Sequence, residues 1–138
     1  MNSSFIDKLK AKWNEGKFVC VGLDSDFEKI PDSVKTDSVE DTLFDFNKAI
    51  IDATHDLVCA FKVNSAFYES YGEDGWEALE KTFQYLNTQH PDIPTILDAK
   101  RADIGNTNLG YIKMAFEILK ADAITVHPYL GKEAIESF

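Results

Sequence analysis

The chain has 138 residues, 44% of them hydrophobic and 28% charged, the profile of one ordinary globular domain with enough apolar side chain for a core. Its net charge of −10 and pI near 4.6 exclude a nucleic-acid or anionic-membrane surface, because phosphate binding needs clustered Lys and Arg and the chain has only 14 of them. No apolar stretch is long enough to span a membrane, and Met1-Asn2-Ser3-Ser4-Phe5 has no basic segment leading into an apolar run, so no signal peptide is expected. Cys20 and Cys59 fall in apolar runs and read as buried free thiols, which places the chain in a reducing cytoplasm.

Phe5, Ile6, Leu9 and Trp13 predict a leading helix over residues 3–14. A first apolar run, Phe18 to Leu23, comes next. Ser38, with Asp41 three residues on, is a helix start, and Val39, Leu43, Phe46, Ile50 and Ala53 form the stripe of an amphipathic helix. The second apolar run is Leu57 to Val63. Gly72-Glu73-Asp74-Gly75 is expected to be a loop, wrongly spaced and wrongly placed for a dinucleotide fingerprint. Trp76, Leu79, Phe83 and Leu86 mark a helix that stops before His90-Pro91. The third run is Thr95 to Lys100. A helix opening near Asn106-Thr107 is expected to bury Leu109, Ile112, Phe116 and Leu119. The fourth run is Ala123 to Val126, with a last helix from Gly131 toward Phe138.

Apolar runs that alternate with helices predict right-handed βαβ units and a parallel sheet, covered on both faces. Taking alternate residues, the inward faces carry Cys20, Gly22 and Asp24; Val58, Ala60 and Lys62; Ile96, Asp98 and Lys100; Thr125 and His127. Each is small or apolar first and polar at the C-terminal end, the pattern of a (β/α)8 TIM barrel packed below and functional above. Complete barrels need about 250 residues, so the chain reads as the first four βα units, the N-terminal half of one barrel domain spanning 1–138.

Asp98-Ala99-Lys100-Arg101-Ala102-Asp103 closes the third strand, with Asp98 and Lys100 expected on one face. Carboxylates and amines inside a sheet are unfavourable unless paired. D-x-K-x-x-D is a modest signal alone, but Asp24 and Lys62 also end apolar strands and point to the same interior. His127 admits both a structural hydrogen bond and a substrate contact. His55 and His90 are expected to be solvated, and Trp13, Trp76 and the Phe residues to be core. No Cys/His cluster has metal-ligand spacing.

Val21-Gly22-Leu23-Asp24, Phe61-Lys62-Val63-Asn64 and Leu97-Asp98-Ala99-Lys100-Arg101-Ala102-Asp103-Ile104-Gly105-Asn106-Thr107 resemble the first three strand ends of the orotidine 5′-monophosphate decarboxylases. Phe-Lys-Val-Asn-Ser-Ala-Phe-Tyr resembles the longer bacterial branch. The resemblance implies cofactor-independent decarboxylation of orotidine 5′-monophosphate to UMP, with no metal. Lys100 would protonate C6, Asp98 would lie beside the departing carboxylate, and Asp103 would complete the catalytic array across a homodimer interface. Lys62 would join that array, with Asp24 and Lys62 on ribose hydroxyls and Thr107 reaching the ribose from the partner side.

The chemistry needs such an array. Losing carbon dioxide leaves negative charge on a ring carbon, and an ammonium aimed there stabilises the charge and then quenches it. Two other readings stay open. One is a magnesium-dependent phosphosugar enzyme such as hexulose-6-phosphate synthase, although Lys62 stands where the metal-holding acid would be. The other is a non-catalytic, dimerising half-barrel, because the phosphate-gripping loop and the pyrimidine-recognising serine lie in later segments. The fragment alone is expected to be inactive, and association-prone at its open sheet edges.

Overall fold

The computed structural model describes residues 4–138; Met1–Ser3, including the expected first residue of the leading helix, lie outside them. Helix α1 (Phe5–Asn14) starts at Ser4, whose hydroxyl accepts the Asp7 N–H while Asp7 reaches back to the Ser4 N–H, a reciprocal cap. The sheet has four strands: β1 (Val19–Gly22), β2 (Val58–Asn64), β3 (Thr95–Arg101) and β4 (Ala123–Val126). Between them lie α2 (Val39–Thr54), the single turn α3 (Ala66–Glu69), α4 (Gly72–Gln89), and α5 (Gly105–Ile112) continuing as a π-turn over Lys113–Ile118. The last helix is α6 (Lys132–Ile135).

All pairings are parallel and the strand order is β1-β2-β3-β4. A doubly wound sheet reverses its order at a switch point; none occurs here. The sequence of neighbours is that of a barrel wall, and the four βα units make half of one. Central β2 is buried along most of its length, whereas edge strand β1 is largely open.

Several expectations are corrected. Gly72–Gly75 is the first turn of α4, not a loop. Gly75 belongs there because a Cβ would come within 1.9 Å of the Tyr68 carbonyl oxygen, so only glycine allows α4 to seat on α3. The strand runs start one residue late: Phe18 (70% exposed) and Leu57 flank β1 and β2 from outside. Cys20 is exposed on the open edge strand while Cys59 is buried. Trp13 is exposed too, because Lys12 takes the buried position of α1 and pairs with Asp92.

In α2 the buried stripe is Thr42, Leu43, Asn47 and Ile51, so Val39, Phe46 and Ile50 pack only partly and Ala53 is exposed. In α5 and the π-turn, Leu109 is 65% exposed and Ile112 and Phe116 half-buried, with Asn108, Ala115 and Leu119 inside. Asn108 is drawn in by hydrogen bonds to the Asp103 and Ala134 carbonyls, at 2.9 and 2.8 Å, and the π-turn's extra residue shifts the helical register beyond it. His55 and His90 are not simply solvated. Their rings stack at 4.6 Å, and burial, together with repulsion from His55, lowers the His90 pKa. Among the described residues no helix is long and apolar enough to cross a membrane.

Candidate active site

The four polar strand-end residues meet at the C-terminal edge of the sheet. Asp24 lies just past β1, Lys62 lies near the end of β2, and Asp98 and Lys100 lie in β3. Lys62 Nζ donates to Asp24 Oδ1 at 3.1 Å, to its Oδ2 at 3.3 Å, and to Asp98 Oδ2 at 3.2 Å. Lys100 Nζ donates to Asp98 Oδ1 at 2.7 Å. The charges therefore alternate along one chain, Asp24–Lys62–Asp98–Lys100.

The sheet register explains how β3 supplies two of them. Leu97 faces Ile124 and Arg101 faces Val126, so three residues of β3 stand opposite the one residue Thr125. This is a bulge, a device that re-aims side chains at a sheet rim. Within it Lys100 adopts φ +49°, a left-handed conformation unfavourable for a side-chain-bearing residue. Thr125 holds the bulge at both ends: its hydroxyl accepts the Lys100 backbone N–H at 3.0 Å and donates to Asp98 Oδ1 at 2.7 Å. Asp98 and Lys100 thus share a face as alternation predicts, but through a bulge rather than a regular strand.

Burial grades the members. The Asp98 side chain is only 11% exposed, whereas that of Lys100 is 64% exposed. Burial would raise the Asp98 carboxyl, but hydrogen bonds from Lys100, Thr125 and Lys62 outweigh it and hold the group at about 2. Lys62 shows the same contest: burial would lower its pKa, and the bonds to Asp24 and Asp98 raise it overall. A cavity of about 380 Å³ opens beside Asp24, lined in part by Gly22, Ser25, Lys29, Phe46 and Phe67.

Asp103 and Thr107 make no hydrogen bond to the array among the described residues. The Asp103 carboxylate accepts the Ile104 N–H at 2.7 Å, and the Thr107 N–H closes the first turn of α5 on the Ile104 carbonyl at 3.0 Å. Around them Ile104, Leu109 and Leu130 are exposed. The His127 ring accepts the Tyr129 N–H, and among the described residues no hydrogen bond joins it to the array. Arg101, which no periodicity in the sequence marks out, bonds Glu69 at 2.5 Å and lies over the Tyr111 ring at 5.1 Å, tying β3 to α3 and α5. Among the described residues no group of three or more His, Cys, Asp or Glu side chains has the geometry to hold a metal ion.

The chain is similar to known proteins in both sequence and fold. Residues 17–138 match the model of the orotidine 5′-phosphate decarboxylase / HUMPS family. An orotidine 5′-phosphate decarboxylase of Flavobacterium johnsoniae is 55% identical over 121 residues, covering 88% of this chain and 44% of the relative. One from Cellvibrio japonicus is 52% identical over 136 residues, covering 98% and 49%. Among solved structures, the OMP decarboxylase of Leishmania donovani superposes with a TM-score of 0.83 at 34% identity, over 99% of this chain and 49% of that one. A putative orotidine-monophosphate decarboxylase from Toxoplasma gondii gives 0.88 at 36%, over 99% and 44%. The chain spans about half the length of the curated relatives it matches. By its sequence over residues 17–138 and by its half-barrel of four βα units, the chain belongs to the orotidine 5′-phosphate decarboxylase / HUMPS family.

Proposed function

We propose that the full-length protein is an orotidine 5′-monophosphate decarboxylase, a carboxy-lyase (EC 4.1.1.23) of UMP biosynthesis in the cytoplasm. The observation that carries this reading is the alternating array, which ends in an exposed ammonium, Lys100. The bond from pyrimidine C6 to the substrate carboxylate breaks and its electron pair stays on C6. Carbon dioxide leaves, and a Lys100 N–H proton passes to C6 to give UMP. The resulting neutral amine regains a proton from solvent. No cofactor enters this chemistry.

An ammonium already fixed at the reacting carbon does not have to reorganise as charge develops, which is the main source of its effect. Asp98, held ionised beside it, would face the departing carboxylate, and Asp24 and Lys62 would hold ribose hydroxyls. Asp103 and Thr107 would serve a second subunit's site in a homodimer. The lack of any hydrogen bond from them to this chain's own array among the described residues supports that assignment, as do the exposed Ile104, Leu109 and Leu130 around them. The phosphate-gripping groups are assigned to the part of the relatives' length that this chain does not span, so the 138 residues alone should turn over little substrate.

Against the magnesium-dependent phosphosugar reading stands Lys62, whose ammonium occupies the space between two carboxylates where a metal ion would have to sit. The test is the ultraviolet absorbance loss of orotidylate with the full-length protein, with and without EDTA, and with Lys100→Ala. Turnover indifferent to EDTA and reduced roughly 10⁴-fold or more by the substitution is expected, given the reach of general-acid and electrostatic catalysis. Undiminished turnover in Lys100→Ala would remove the proton-donor assignment.

A further inference from the structure

Behind Asp24 lies a buried polar cluster to which the decarboxylation chemistry assigns nothing. Asn47 of α2, Tyr68 of α3 and Thr82 of α4 are completely buried, and Ser25 nearly so. Tyr68 OH donates to the Leu23 carbonyl at 2.7 Å and accepts from Asn47 Nδ2 at 2.8 Å. Asn47 Nδ2 also donates to Thr82 Oγ1 at 2.9 Å, and Asn47 Oδ1 accepts from the Ser25 hydroxyl at 2.5 Å. Thr82 in turn donates to the Ala78 carbonyl at 2.7 Å.

The direction of every bond is fixed. A carbonyl can only accept, so the phenol proton must go to Leu23; Asn47 then gives a proton to each hydroxyl oxygen and uses its own oxygen for Ser25. Burial pushes the Tyr68 pKa up, which keeps the phenol a donor. Buried polar groups are unfavourable unless satisfied, and a satisfied network is rigid. The cluster draws on three helices and ends on Leu23 and Ser25, the residues on either side of Asp24. Strand β1 stops at Gly22, and beyond it the Leu23 N–H to Lys62 carbonyl bond at 2.8 Å continues the pairing with β2, so the cluster holds the segment from the side of the helices.

We propose that Tyr68 and Asn47 are positioning residues that clamp the backbone around Asp24 from behind, so that its carboxylate is pre-placed for Lys62 and for a substrate hydroxyl. The substrate part rests on the decarboxylase reading above. The test uses the full-length protein with Tyr68→Phe and Ser25→Ala, each alone and combined with Asp24→Ala. Two quantities are read: kcat/KM for orotidylate, and the carbon NMR resonance of the Asp24 carboxyl at one fixed pH in the variants that keep Asp24.

A displacement near 1 Å in a catalytic constellation reduces rate by about 10²-fold. Tyr68→Phe should therefore lower kcat/KM by roughly tenfold to a hundredfold, and Ser25→Ala less. Both effects should nearly vanish in the Asp24→Ala background, because a residue acting through Asp24 has nothing left to position. The Asp24 carboxyl resonance should move in both variants but not in Ile51→Val, a buried control in the same core. If Tyr68→Phe fails to fold, Ser25→Ala decides. Losses that persist undiminished without Asp24, or an unmoved Asp24 carboxyl resonance, would overturn the clamp. A wild-type protein inert toward orotidylate would instead remove the decarboxylase reading, and the Asp24 carboxyl resonance would still decide the clamp.

Discussion

Lysine–aspartate pairs occur at both ends of the sheet, and the contrast between them separates scaffold from chemistry. At the N-terminal ends of the strands, α1 sends Lys8 to Asp122 at 2.7 Å and Lys12 to Asp92. The second oxygen of Asp122 accepts the Thr95 N–H and hydroxyl, at 2.9 and 3.2 Å. Each such lysine has its own aspartate, and the pairs fasten a helix across the bottom of the half-barrel. At the C-terminal ends two lysines share Asp98, the series finishes at the exposed Lys100, and the backbone under that lysine is left-handed. An ammonium has three donors, and at Lys100 one is given to Asp98 while the side chain stays open to solvent. Fastening calls for closed pairs; the proposed proton transfer calls for an open one.

Removing Lys62 should have the largest effect on stability, because it sits inside the upper chain rather than at its end. Lys62→Ala would leave Asp24 and Asp98 facing each other without their common cation. Breaking a buried pair by deleting one partner is destabilising by about 3–5 kcal/mol. Lys62 is partly exposed, so a loss near the lower end, about 3 kcal/mol, is expected in chemical denaturation, with kcat/KM down by roughly 10² or more. Adding Asp24→Asn should recover part of the stability by relieving carboxylate repulsion. A Lys62→Ala protein as stable as wild type would show the upper chain to be no more than a surface pair.

The next effect is in acid. Asp98 has a folded pKa near 2, below the ordinary aspartate value of 3.8. Its stabilising contribution is therefore complete above about pH 5 and is lost as pH falls through 4 toward 2. A difference of nearly two units corresponds to about 2 kcal/mol. Measured unfolding free energy should fall by about that amount between pH 5 and pH 2, and Asp98→Asn should flatten this part of the profile. An unchanged acid limb in Asp98→Asn would place the relevant carboxylate elsewhere.

Sequence pattern makes the two ends legible to different degrees. Alternation along β1, β2 and β3 puts Asp24, Lys62, Asp98 and Lys100 on one interior face, and the structure joins them by hydrogen bonds. The bulge opposite Thr125 is not legible, since a register shift depends on the neighbouring strand and not on the run itself. Helical stripes go astray where a polar residue holds the inward position. Asn47 and Asn108 are buried because hydrogen-bonding partners distant in the chain satisfy them, and apolar periodicity contains no sign of those partners. Gly75 looks like loop punctuation for the same reason: its requirement comes from the Tyr68 carbonyl of the preceding turn.

Lys12 is the lower-end counterpart of that lesson, a charged residue in the buried position of α1 with exposed Trp13 beside it. Its stem packs under the sheet while its ammonium reaches Asp92, whose carboxyl is lowered by that bond against the opposing effect of burial. Asp92 itself is well exposed, so solvent screens the pair and takes over Asp92's solvation once the lysine is gone. Lys12→Ala should therefore lower unfolding free energy by only about 1 kcal/mol, mostly through lost packing of the stem. Lys12→Met, which keeps the stem, should recover most of that loss. Turnover by the full-length protein should be unchanged in both, since no hydrogen bond links Lys12 to the upper chain among the described residues. A clear loss of kcat with stability intact would show that the closed pairs below are coupled to the open one above.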